Sequence, residues 1–220
     1  MSSNQIGALF MMASMACFTL NDAFMKVTDG AIPLFQLLFL RGILTTIFIV
    51  ALALWLKSLH FNIARRDWKL IAMRSASEMA TAYFFITALF NMPLANVTAT
   101  LQALPLTVTL GGALFFREAV GWRRMSAILI GFLGMLLIVR PGSEGFNIYG
   151  IYALLAVLGV TVRDLVTRQL SADVPSMTVT LAASLTVMTF SGIASTASPW
   201  APISGTHALM VIGSSICIFG

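Results

Sequence analysis

Charge is scarce in this chain. Only 10% of its 220 residues are Asp, Glu, Lys or Arg, where a soluble domain carries about 25%. With 59% apolar residues there is too little polar surface to face water on all sides, so lipid must be part of the solvent. Histidine and cysteine are scarcer still, at two each. Cys17 and Cys217 lie inside apolar stretches, which argues against a disulfide framework and a thiolate metal site. His60 and His207 fall outside the predicted helix cores, and Ser204-Gly205-Thr206-His207 is a loop string, not a nucleophile elbow. A Gly-rich phosphate loop and a metal motif are both missing. No convergent catalytic set, cofactor site or nucleotide-binding domain is therefore expected, so the chain reads as neither an enzyme nor an ATP-driven pump. Residues 1–5 lack the positive n-region of a signal peptide, and the first apolar stretch is read as retained.

What is present is a succession of long apolar runs. A membrane-crossing helix needs about 20 mostly apolar residues. Candidates fall at 5–26, 33–56, 68–90, 94–116, 122–139, 148–170 and 175–197, with an eighth running from 206 to Gly220. Pro33 and Pro175 open two of them, and Arg140-Pro141-Gly142 stops another. The links are short: Thr28-Asp29-Gly30, Lys57 to Asp67, Asn91-Met92-Pro93, Pro141 to Asn147, and Ser198 to Gly205. The fold class expected is all-α integral membrane protein.

Basic residues set the orientation. With the N-terminus in the cytoplasm, the inner loops hold Lys57, Arg65, Arg66, Lys69, Arg117, Arg123, Arg124 and Arg168, and the outer loops hold Lys26 and Arg140. Eight against two follows the positive-inside pattern. Trp55, Trp68, Trp122 and Trp200 fall at predicted helix ends, where interfacial aromatics belong. The net charge of +5 is thus spent on topology, and nucleic acid is not an expected partner.

Shifted by 142 residues, the sequence meets itself. Asp22 falls on Asp164, Lys26 on Arg168 and Pro33 on Pro175. The repeat unit contains five helices, an odd number, so the second copy enters the membrane from the opposite side: an inverted repeat of five transmembrane helices. Its halves are 1–142 and 143–220, the second incomplete, because Gly220 falls on Glu78 in the middle of the third helix. The expectation is a chain cut after about seven and a half helices of a ten-helix protein of roughly 280–300 residues.

The stretch YFFITALFNMPLANVTATLQALPLTVTLGGALFFREAVGWRRMSAILIGFLGMLLIVRPG, Tyr83 to Gly142, carries a small-residue run into Pro105, then Arg117-Glu118, then a Gly-rich helix with Gly131 and Gly134 ending in Pro141-Gly142. It resembles the EamA-type repeat of the drug/metabolite transporter (DMT) superfamily. Asn21-Asp22 with Lys26, then Phe35 to Arg41, are similar to the branch of S-adenosylmethionine uptake carriers and to riboflavin carriers. The resemblance covers essentially the whole chain. It implies two repeats, ten helices, cytoplasmic termini and a substrate path between the halves. It further implies a multi-pass permease of the bacterial inner (plasma) membrane, working as a secondary transporter of a small polar metabolite. S-adenosylmethionine-like or riboflavin-like uptake comes first and amino-acid or drug export second. The partners expected are the lipid bilayer and a small-molecule substrate, with a proton as candidate coupling ion and a homodimer as candidate assembly. A rival of another class is a membrane structural or assembly protein without transport of its own.

Charges inside a bilayer are costly and mark candidate sites. Glu78 sits near the middle of the third span, with Arg74 four residues earlier on the same face; Thr81 and Phe85 extend that face. One reading makes Glu78 a proton-coupling group or the partner of a cationic substrate; the other is a structural Arg74–Glu78 pair. Arg41, in the second span, is either an anchor for a substrate carboxylate or phosphate or a partner for Glu78 or helix carbonyls. Asp22 with Lys26 and Asp164 with Arg168 are either gate charges that break alternately or helix-end ion pairs. Asn21 and Gln102, the latter beside the Pro105 break, line the pathway or bond between helices. The Ser, Thr and Ala of the seventh span (Thr178, Ala182, Ser184, Ser191), Gly111-Gly112 and Gly131/Gly134 read as close helix packing. Met11, Met12, Met15 and Met25 of the first span read as apolar surface, not a soft-metal path.

Overall fold

A computed structural model describes residues 3–28, 31–118, 121–139 and 148–219. The described residues form helices and connections, with no strand among them. The helices are α1 (Ser3–Val27), α2 (Leu34–Trp55), α3 (Arg65–Asn91), α4 (Leu94–Leu101), α5 (Leu104–Phe116), α6 (Trp122–Val139), α7 (Ile148–Thr167), α8 (Ser176–Ser195) and α9 (Gly205–Phe219). Most bounds lie within two or three residues of those read from the sequence. Asp29-Gly30 and the stop at Arg140-Pro141-Gly142 lie outside the described residues.

Among the described residues, five stretches are long and apolar enough to cross a membrane: Gly7–Val27, Leu34–Trp55, Leu94–Phe116, Ile148–Thr167 and Ser176–Ser195. The 27-residue α3 has the length, but Arg65, Arg66, Asp67, Lys69, Arg74 and Glu78 lower its hydropathy. It begins at Arg65, three residues before the expected start, and Asp67 lies in its first turn, where a carboxylate suits the helix dipole.

The span expected as one helix over 94–116 is two. α4 stops at Leu101, capped by Gln102, and α5 begins at Leu104. The break precedes Pro105 because proline has no N–H to donate to the carbonyl four residues back, that of Leu101, and its ring crowds that carbonyl, whereas proline fits the first turn of a new helix. The Gln102 N–H still reaches the carbonyls of Thr98 and Ala99, each at 3.2 Å. α5 ends on Arg117, whose backbone is left-handed at φ 54°.

The chain divides into two compact units, Met1–Ser58 with Val187–Gly220, and Leu59–Thr186. In the first unit α9 packs along α1 and α2. The C-terminal part of α8 meets α2 through an edge-to-face pair, Phe35 and Phe190, with centroids 6.2 Å apart. At Gly42 an added Cβ would lie 3.0 Å from Met188 Cβ. In the second unit α3 lies along α7 in the most extensive helix pair of the chain, and α7 also supports α5 and α4. Ile71, Ile86, Ala88 and Leu89 of α3 are buried, as are Ala153, Ala156, Val157 and Val160 of α7. Small residues allow this approach: a Cβ at Gly159 would overlap Thr81 Oγ1.

These two pairings follow the 142-residue spacing. Shifted by it, α2 begins where α8 begins, α1 falls on α7, and α3 falls on α9. So α1 with α9 and α7 with α3 are pairings of helices that correspond under this shift, made once in each unit.

Candidate functional site

The α3–α7 pair carries the densest set of charges among the described residues of the apolar spans. Glu78 lies one turn from buried Ser75 and Thr81 on the α3 face that meets α7. Arg163, four residues after Gly159, faces it from α7. Its Nη1 stands 3.3 Å from Glu78 Oε2 and 3.5 Å from Oε1. The same guanidinium binds Asp164 Oδ1 through Nε and through Nη2, both at 2.9 Å. One cation therefore serves two carboxylates, tightly at Asp164 and loosely at Glu78. The side chains of Arg163, Glu78 and Asp164 are 28%, 31% and 40% exposed, so this cluster is neither sealed nor fully solvated.

Arg74 feels the charge of Glu78 but makes no hydrogen bond to it among the described residues. Its Nε donates to Thr167 Oγ1 at 3.1 Å, and its buried Nη1 has no hydrogen-bond partner among the described residues. The expected same-helix pair gives way because α7 presents Arg163 directly across from Glu78. Arg74, Arg163, Glu78 and Asp164 together balance two positive charges against two negative ones.

The expected Asp164–Arg168 pair is also replaced. The Arg168 N–H still donates to the Asp164 carbonyl at 3.1 Å, but its guanidinium reaches elsewhere. Arg168 instead stands 3.7 Å from Glu118, with both side chains nearly half exposed.

In the first unit Asn21 and Asp22 are buried, at 3% and 7% exposure. Asn21 Nδ2 donates to Asp22 Oδ1 at 2.9 Å, while Asn21 Oδ1 has no partner among the described residues. The positive charge of Arg41 on α2 also acts on Asp22. Asn21-Asp22 and Arg163-Asp164 are 142 residues apart, and in each the first side chain donates to the aspartate after it. Gln102 is exposed at the α4–α5 break, and α5 joins α7 through Thr107 and Thr161 hydroxyls 2.7 Å apart.

Three polar residues escaped the sequence reading. Arg163 carried a usable signal, a charge within an apolar span beside Asp164. Asp67, 3% exposed, accepts from the Ser171 N–H at 3.2 Å and from its hydroxyl at 2.9 Å; a loop acid gave no hint of this. Gln36, 1% exposed, clasps the backbone of Ala201 with both ends of its amide, each bond 2.9 Å. No group of three or more His, Cys, Asp or Glu able to hold a metal occurs among the described residues.

Residues 5–140 match the family described as the EamA-like transporter family. Among curated proteins, the pseudopaline exporter CntI of Pseudomonas aeruginosa is 24% identical over 167 residues, covering 76% of this chain and 58% of that one. A riboflavin transporter of Vibrio cholerae is 33% identical over 88 residues, 40% of this chain and 30% of the other. An S-adenosylmethionine uptake transporter of Rickettsia prowazekii is 21% identical over 163 residues, 74% and 55% respectively. The chain spans at most 58% of the length of these relatives. No solved structure matches it.

Proposed function

This chain belongs to the EamA-like transporter family, a family of multi-pass membrane transporters, and on that premise we propose that it forms most of a secondary carrier for a small polar metabolite. The carrier sits in the bacterial inner membrane with its N-terminus cytoplasmic, a placement the basic loops support. Two inverted five-helix repeats, 1–142 and one beginning at 143, alternate access to a central path.

The observation that carries this reading is Arg163 held between Glu78 and Asp164 on half-open helix faces. Charges within apolar spans are costly and mark functional sites by default. Its looser contact, at 3.3 Å to Glu78, is the one a substrate cation or a proton can displace. Glu78 is the coupling group, Arg163 and Arg74 its neighbours. Asn21, Asp22 and Arg41 form the equivalent polar set of the other unit. Gln102 contributes at the broken helix.

Uptake of an S-adenosylmethionine-like or riboflavin-like compound is the first reading, since relatives of both names match. Export is the second, favoured by the pseudopaline exporter, which matches 76% of this chain. Uptake and counterflow in vesicles holding the full-length protein separate the two. Wild type accumulates one labelled substrate and responds to a pH gradient; Glu78→Gln does neither. Equal movement by wild type and variant would remove Glu78 from the path.

A further inference from the structure

Polar side chains in the first turn of a membrane helix normally meet water. Gln36 and Thr178 do not: each is 1% exposed, and each follows the proline that opens its helix, Pro33 for α2 and Pro175 for α8. In the first unit the Gln36 amide donates to the Ala201 carbonyl and accepts from the Ala201 N–H, both at 2.9 Å. Ala201 lies in the segment leading into α9. In the second unit the Thr178 hydroxyl donates to the His60 carbonyl at 3.1 Å. His60 lies in the segment leading into α3.

The two contacts are one contact made twice. Gln36 and Thr178 are separated by the repeat spacing of 142, and His60 and Ala201 by 141. Each ties the second helix of one repeat to the segment before the third helix of the other. Between the starts of α2 and α8 the chain runs through α2, α3, α4–α5, α6 and α7, five crossings in the proposed topology. An odd number puts the two contacts at opposite faces of the membrane. Both are neutral, so either opens without stranding a charge in lipid, and water at the membrane edge can replace the lost partner. A cavity of about 190 Å³ adjoins the Gln36 contact, lined by Pro33, Ser195, Pro199 and Trp200 among others.

From this we infer that Gln36 and Thr178 are the paired gate latches of the carrier, Gln36 closing the face where α2 begins and Thr178 closing the opposite face. They take the gating role that the helix spacing had given to Asp22 and Asp164, whose carboxylates are engaged within the spans. In this conformation both latches are closed. Opening one admits solute from its side while the other stays shut.

The inference rests on the transporter reading, but its test needs no substrate, so a failed uptake assay and a failed latch are told apart. In full-length protein with Cys17 and Cys217 changed to serine, Ser195→Cys reports the Gln36 face and Val179→Cys the Thr178 face; both positions are buried. A membrane-impermeant maleimide is applied to vesicles of each orientation. Gln36→Leu raises labelling at position 195 about three- to tenfold, the population change that losing a hydrogen bond or two brings, and leaves position 179 unchanged. Thr178→Val does the reverse. Thr178→Ser keeps the hydroxyl and restores wild-type labelling; Gln36→Met, neutral and of similar length but without the amide, repeats the leucine result and decides that face if the leucine variant does not reach the membrane. Both reporters rising together in either variant, or neither rising, overturns the assignment.

Discussion

Gly159→Ala tests how closely α3 and α7 must approach for Glu78 to meet Arg163. The new methyl would overlap Thr81 Oγ1, an atom attached directly to a stiff β-branched carbon that cannot swing far. Thr81 is itself 9% exposed, so the helices must separate to make room. Overpacking of this kind costs about 1–3 kcal/mol, or on the order of 2–10 °C in apparent Tm for a chain of this size. Removing the obstruction should recover the loss. After Thr81→Ala the nearest Thr81 atom to the new methyl is Cβ, at 3.5 Å, with the Ser77 carbonyl at 3.6 Å, both ordinary contacts. Thr81→Ala alone deletes a buried hydroxyl without a partner among the described residues and should be close to neutral. Thermal unfolding of the four proteins in detergent therefore gives a coupling of about 1–2 kcal/mol between the sites. Additive effects, or a Gly159→Ala protein as stable as wild type, would refute the close approach.

Three further outcomes follow from the same geometry. Gly111→Ala should cost less than Gly159→Ala, because its obstruction is the end of a leucine, Leu165 Cδ1 at 2.6 Å, which can rotate away; melting in detergent ranks the two. Arg163→Gln should destabilise by about 1–2 kcal/mol, less than the roughly 3–5 of a sealed ion pair, since the site is half open. Adding Glu78→Gln to it should regain part of the loss in the same assay. Asp67→Ala should cost about 1–3 kcal/mol by stranding the Ser171 donors, and Ser171→Ala less, since the Ser171 N–H to Asp67 survives.

The spans were legible because apolar runs and the prolines at 33, 93 and 175 mark them within a few residues. The α4–α5 break was placed at Pro105 itself and lies three residues earlier, since the steric demand of a proline falls on what precedes it. Glu78, Asp22 and Asp164 stood out as charges in apolar surroundings. Their partners did not, because helix spacing finds neighbours only on the same helix. Arg163 and Arg41 come from neighbouring helices. Thr178 read as close packing, and Gln36 passed unremarked within an apolar run; a bond to a backbone atom over a hundred residues away leaves no trace in local pattern.

Glu78 and Arg163 are 85 residues apart in sequence, and the chain is made one residue at a time. At roughly 5–20 residues per second, α3 must wait about 4–17 s for its counter-charge to be synthesised. During that interval the cation one turn away on its own helix face is Arg74, so the same-helix pair absent from the finished fold is the one that can ease the insertion of α3. Once α7 is in place, Glu78 meets Arg163 and Arg74 bonds Thr167. A substitution at Arg74 would on this account show itself first as slower membrane insertion, before any effect on the mature carrier.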